Sequence, residues 1–196
     1  MTGLYDWNPM PHKVDVRCPS CGGLAVFEFA EIVRIRLKKE VPFFQKSKQF
    51  DYEVFKDSCG HKWHGAVYYP GMHGGSEAAI GELPDGYEPG FWAHSRYQYR
   101  NHRLDKGSVR CTECALHRRH VLSWPEDAYF AVSWKNSLLW AFDRDTAVVL
   151  RDYILGSKRS VKGSKWSGFL LHVPSAFKKR GARERIVKQL DALLSA

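Results

Sequence analysis

The stretch Val16-Arg17-Cys18-Pro19-Ser20-Cys21-Gly22-Gly23 has a counterpart in Val109-Arg110-Cys111-Thr112-Glu113-Cys114-Ala115. Both contain Val-Arg-Cys-x-x-Cys, and together they hold four of the five cysteines in a chain of 196 residues. Each copy is approached through extended-looking residues (Val14, Val16 and Arg17; Ser108, Val109 and Arg110) and reads as a knuckle at a hairpin tip. Two cysteines three positions apart span one edge of a tetrahedron, and two such edges complete the four-thiolate shell that zinc prefers. The doubled phrase therefore predicts one structural Zn2+ bound by Cys18, Cys21, Cys111 and Cys114.

The first copy, Cys18-Pro19-Ser20-Cys21-Gly22-Gly23, resembles the knuckle of zinc ribbons and rubredoxin-like sites, where small residues after the second cysteine let backbone amides point at sulfur. The resemblance covers the two knuckles only, and it implies a β-rich ribbon around a closed metal site. This chain departs from a minimal ribbon in two ways. Residues 22–110, 89 in all, separate the knuckles as a large insertion, and Ala115 stands where glycine is usual.

Other ligands compete for the metal. Cys59-Gly60-His61-Lys62-Trp63-His64 brings a thiol and two imidazoles within six residues, and His117 and His120 follow the second knuckle. A two-site partition would join Cys18 and Cys21 to Cys59 with His61 or His64, and Cys111 and Cys114 to His117 or His120. It ranks second, because Lys56 stands where Cys59 would need a paired cysteine. Cys59 by itself reads as a buried free thiol.

The chain is long enough for one domain or two small ones, and 44% hydrophobic residues supply a packed core. Met1 to Lys13 contain Trp7 and two prolines but no apolar run, so neither a secretory signal nor a membrane span is expected. An odd cysteine count with two C-x-x-C pairs fits a reducing compartment, and the expected location is cytoplasmic. The formal net charge is +9, and it is concentrated: between Arg151 and Arg185 ten Lys or Arg residues face only Asp152 and Glu184. Such a local field attracts polyanions, although a solvated basic face has the same composition.

Alternation along Leu24 to Lys39 predicts a strand or strand pair with one apolar and one basic face. Phe50, Tyr52 and Val54 predict another strand, and Ala66 to Tyr69 a further one that stops at Pro70. Glycine and proline cluster from Pro70 to Gly90, predicting a long loop in which only Glu77 to Ile80 forms a helical turn. Beyond Pro125, Tyr129 to Trp134 and Leu138 to Phe142 predict a hairpin around Lys135-Asn136-Ser137. Asp143 or Asp145 then caps a helix carrying Ala147, Leu150, Tyr153 and Ile154, with Gly156 as its stop. Phe169 to Val173 reads as a strand, and a terminal helix places Ile186, Val187, Leu190, Leu193 and Leu194 on one stripe. The expected class is α+β: a β-rich zinc-ribbon domain over residues 1–125 with an insertion at 22–110, then a basic ββαβα module over residues 126–196.

Four thiolates close the zinc shell and argue against zinc hydrolysis. No histidine has glutamate two residues later, and G-x-S-x-G, Walker A and H-E-x-x-H are absent. Gly71-Met72-His73-Gly74-Gly75 lacks a Walker lysine and reads as a structural loop. One enzymatic reading comes from a loose resemblance to HNH-type nucleases, which place a histidine pair and an asparagine between zinc knuckles. His61, His64, His73, Asn101 and His102 occupy that interval here. The family's Asp-His step is replaced by Trp63-His64, and its Cys-His after the second knuckle by Cys114-Ala115.

The first expected partner is nucleic acid, DNA or RNA. Lys158, Arg159, Lys162, Lys165, Lys178, Lys179, Arg180 and Arg183 can neutralise phosphates, and Trp166, in a polar loop, is the aromatic expected to be free to stack on bases. Arg34, Arg36, Lys38, Arg96, Arg100 and Arg103 would widen that surface. No recognition helix stands out, so phosphate contact is expected and sequence readout is not. The rival expectation is a protein-interaction module or adaptor that exposes Phe43, Phe44, Tyr87, Phe91, Trp92, Tyr97 and Tyr99. The same aromatics can also fill an ordinary core. A metal-dependent nuclease ranks third.

Overall fold

The computed structural model describes residues 11–57, 59–93 and 105–196. Its strands are β1 (Lys13–Arg17), β2 (Leu24–Phe29), β3 (Glu31–Arg34), β4 (Phe50–Lys56), β5 (Lys62–Tyr68), β6 (Lys106–Cys111), β7 (His117–Val121), β8 (Ala131–Trp134) and β9 (Ser137–Trp140). They form sheets of order β1-β2-β6-β7, β3-β5-β4 and β8-β9. The helices are α1 (Val41–Lys46), α2 (Arg144–Leu155), α3 (Ser167–Leu171), α4 (Ser175–Lys178) and α5 (Arg180–Ser195). The class is α+β. Among the described residues no helix is long and apolar enough to cross a membrane. The described residues gather into two compact units, one within Val26–Leu122 and the other within Met1–Ala25 and Ser123–Ala196.

In Val26–Leu122 the long alternating run breaks at Ala30, whose N–H donates to the Lys106 carbonyl at 2.9 Å, so β2 and β3 enter different sheets. Leu37 and Lys38 leave the alternation for a short 3-10 turn that leads into α1, a helix the period-two reading did not anticipate. Strand β5 pairs antiparallel with both neighbours, Glu31 opposite Tyr68 on one side and Phe50 to Lys56 opposite Tyr68 to Lys62 on the other. Phe44, Phe50, Tyr68, Tyr87 and Trp92 converge on one face of this sheet, and the indole of Trp92 donates to the Ala66 carbonyl at 3.1 Å. Burying each such side chain contributes about 1.5–3 kcal/mol. The proline- and glycine-rich loop closes this core with 3-10 turns at Pro70–His73, Glu77–Ala79 and Pro89–Trp92, two more than expected. Hairpin β6–β7 pairs Lys106 with Val121 through to Arg110 with His117. Gly107 is required there, because a Cβ would lie 2.2 Å from the Glu28 carbonyl oxygen.

In the other unit β1 is tied to the C-terminal part of the chain. Asp15 N–H donates to the Phe142 carbonyl, Tyr129 N–H to Asp15, and Arg17 N–H to Asp127. Strands β8 and β9 meet through a two-residue turn in which Lys135 takes φ 52°, and Ser137 already belongs to the strand. Asp143 caps α2 reciprocally with Thr146: its carboxylate accepts Thr146 N–H at 2.7 Å, and Thr146 Oγ1 accepts Asp143 N–H at 2.9 Å. Ala147, Leu150 and Ile154 are buried on α2, and Ala182, Ile186, Leu190 and Leu194 on α5, which packs against α2 and β8.

The expected strand at Phe169 to Val173 is a helix instead. Phe169, Leu170 and Val173 are buried while Leu171 is 63% exposed. A strand would turn Phe169 and Leu171 to the same side; a helical turn puts positions i, i+1 and i+4 on one face. The module after residue 126 is therefore ββ followed by four helices.

Candidate metal centre

Each knuckle grows from the end of a strand and closes on itself in the same way. After β1, Cys18 N–H donates to the Gly23 carbonyl at 2.8 Å; after β6, Cys111 N–H donates to the Leu116 carbonyl at 2.9 Å. The residue following each second cysteine takes a left-handed conformation, φ 78° at Gly22 and φ 55° at Ala115. Ala115 thus adopts the backbone that glycine adopts in the first copy, which explains how the second knuckle forms without the usual residue. In the first knuckle Ser20 N–H points at Cys18 Sγ at 3.4 Å, the amide-to-sulfur contact that stabilises a thiolate.

Cys18 and Cys111 are buried, Cys21 and Cys114 are exposed, and none of the four forms a disulfide. Their Sγ atoms all lie within 4.8 Å of one another. A tetrahedron with Zn–S bonds of about 2.3 Å has edges of about 3.8 Å, which fall inside that limit. The donor chemistry and the spacing fit a four-coordinate metal ion.

The other sequence-derived ligands lie elsewhere. Cys59 is exposed, contrary to the buried thiol expected, and groups with His61 and with Asp57, a carboxylate the sequence reading passed over. The signal was the spacing Asp57-x-Cys59-x-His61 around a turn glycine. His64 Nδ1 is 2.5 Å from the Tyr52 hydroxyl. His117 Nε2 donates to the Gly71 carbonyl at 2.7 Å. His120 packs edge-on to Phe27, and His73 stacks on Tyr68. Asn101 and His102 lie outside the described residues.

The basic residues divide into two sets. Lys158, Lys162, Lys165, Lys179 and Arg180 are exposed. Arg159, Lys178 and Arg183 are half-buried and engaged: Arg159 donates to the Ile154 and Lys178 carbonyls, Arg183 to Leu155, and Lys178 Nζ sits 5.9 Å above the Tyr153 ring. Trp166 is not a free aromatic. Its ring packs 6.0 Å from Phe142 and its indole nitrogen is buried, because the polar loop folds back over the apolar core. Phe169 and Phe177 are fully buried.

The expected aromatic surface is largely core as well, with Phe44, Tyr87 and Trp92 buried, Phe43 half-buried and only Phe91 at the surface. Tyr97, Tyr99, Arg96, Arg100 and Arg103 lie outside the described residues. Arg36 is committed to structure, donating to the Gly86 carbonyl and lying over Tyr87 and Phe91.

No family model, curated protein or solved structure matches this chain.

Proposed function

We propose that this protein is a zinc-stabilised nucleic-acid-binding protein, working in a reducing compartment such as the cytoplasm. In this reading Cys18, Cys21, Cys111 and Cys114 hold one structural Zn2+, and residues 126–196 carry the binding surface. One observation supports it most. Among the described residues, Lys158, Lys162, Lys165, Lys179 and Arg180 are exposed with no carboxylate in ion-pair reach, whereas Arg151 in the same unit is paired with Asp152 and Asp191. Helix α5 also begins on Lys179 and Arg180 with no side-chain cap and no acidic residue in its first turn. Cations at the positive end of a helix dipole do not favour folding, and a polyanion would offset their repulsion. With Trp166 packed away, affinity would come from phosphates and would tolerate changes in base sequence.

Fluorescence polarisation with labelled single-stranded and duplex DNA and RNA tests this. Binding is expected to fall with salt at a log-log slope of about −0.9 per duplex phosphate neutralised. Charge reversal at Lys179 and Arg180 should weaken binding to every sequence alike. Salt-insensitive binding, or none, would overturn the reading.

The adaptor reading draws support from Leu155 and Leu171, which are 55% and 63% exposed. A protein partner still captured after reversal of Lys178, Lys179 and Arg180, with no nucleic acid bound by the native chain, would favour it.

A further inference from the structure

We propose that Asp57, Cys59 and His61 form a second metal site, open and solvent-facing, for a borderline divalent transition ion such as Zn2+ at the tip of the β4–β5 hairpin. One ligand atom from each of the three lies within 4.8 Å of the others. His61 Nδ1 stands 3.4 Å from Asp57 Oδ2. That distance is long for a hydrogen bond, and it matches the edge of a tetrahedron whose metal–ligand bonds are about 2.0–2.1 Å.

The carboxylate is already aimed. Asp57 Oδ1 accepts the N–H groups of Cys59 at 2.9 Å and His61 at 2.8 Å, which leaves Oδ2 for an ion. The backbone beneath is closed too: Asp57 N–H donates to the His61 carbonyl and Gly60 N–H to the Asp57 carbonyl, each at 3.0 Å. Gly60 takes φ 82°, a conformation that brings Cys59 and His61 to the same tip. Below the tip, the paired strands run in register up to Lys56 opposite Lys62.

Donor type narrows the ion. A thiolate, an imidazole and a carboxylate together suit zinc, cobalt or nickel better than calcium or magnesium, which take oxygen ligands. Three protein ligands leave a fourth position for water or for a group from another molecule, as in open zinc sites. Two exposed lysines flank the tip and repel a cation, so this site should bind more weakly than four thiolates. The proposal stands independently of both the four-cysteine site and the nucleic-acid reading.

Equilibrium dialysis of the full-length chain against Zn2+ or Co2+, followed by metal analysis, tests it. Two equivalents are expected, one retained against a weak chelator and one readily exchanged. Cys59→Ser and His61→Ala should each remove the exchangeable equivalent and leave the other, with unchanged circular dichroism. In the Co2+-loaded chain Cys59→Ser should delete a minor part of the sulfur-to-cobalt charge-transfer absorption. A chain carrying both Cys21→Ser and Cys114→Ser separates the two sites, since it should still bind one exchangeable equivalent if it folds. A native chain that binds no exchangeable equivalent, or an exchangeable equivalent that survives in both Cys59→Ser and His61→Ala, would overturn the proposal.

Discussion

Ala115 holds φ at 55° in the position that Gly22 occupies at 78° in the first knuckle. An L-residue in this region pays for the approach of Cβ to its own backbone, and glycine does not. Ala115→Gly should therefore stabilise the metal-bound protein by about 1 kcal/mol. Gly22→Ala should destabilise it by a similar amount and no more, because the added Cβ meets nothing within 4 Å. Urea denaturation of the two variants checks both signs.

A second residue-scale effect concerns Asp15, whose carboxyl is pushed above the ordinary carboxylate range by burial. The Arg144 N–H that it accepts at 2.9 Å opposes this shift without reversing it, and Asp143 and Asp145 add to it. The unfolded chain releases this proton at lower pH than the native one does. Between the two values the native state binds more protons, so this contribution to stability is present below the ordinary carboxylate pKa and is lost as pH rises through the raised value. Asp15→Asn keeps an acceptor for Arg144 and should flatten that part of the profile, as read from denaturation midpoints between about pH 4 and neutrality.

At the scale of elements, the features legible in the sequence are those set by neighbours along the chain. Helix α2 has a capping aspartate, apolar positions at helical spacing and a glycine at its end, and it forms where these signals place it. Asp143→Ala breaks the reciprocal cap with Thr146 and should cost about 1 kcal/mol, seen as a lower urea midpoint at an unchanged slope. The short apolar run Phe169-Leu170-Leu171 carries no such signals. Five residues fit a buried strand as well as a helical turn, and the core beneath them selected the helix. Helix α1 escaped notice for a related reason, since six residues with Pro42 near the start present no full period.

For the whole molecule, the metal centre makes a further prediction. Cys21→Ser and Cys114→Ser lie in different knuckles, and a single shared ion would make their effects alike. Each should release one equivalent of tightly held metal and lower the thermal midpoint by a comparable amount, measured by metal analysis and scanning calorimetry. Apparent zinc binding by thiolate sites in small peptides is worth about 10–16 kcal/mol at neutral pH, so the loss should be large. Loss of Cys114 that left the ion on the first knuckle would contradict a four-thiolate site.

The doubled Val-Arg-Cys-x-x-Cys determined the form of each knuckle by itself, because strand approach, cysteine spacing and left-handed exit all lie within eight residues. The local charge excess and the capped helix α2 were set by sequence for the same reason. Only the tertiary structure gathered cysteines separated by 89 residues and returned β1 to Phe142 and Tyr129. It also packed Trp166 against Phe142 and put Phe44, Tyr87 and Trp92 into a core. Burial is shared among residues distant in sequence, and an aromatic side chain carries no local mark of whether it will face a partner or its own fold.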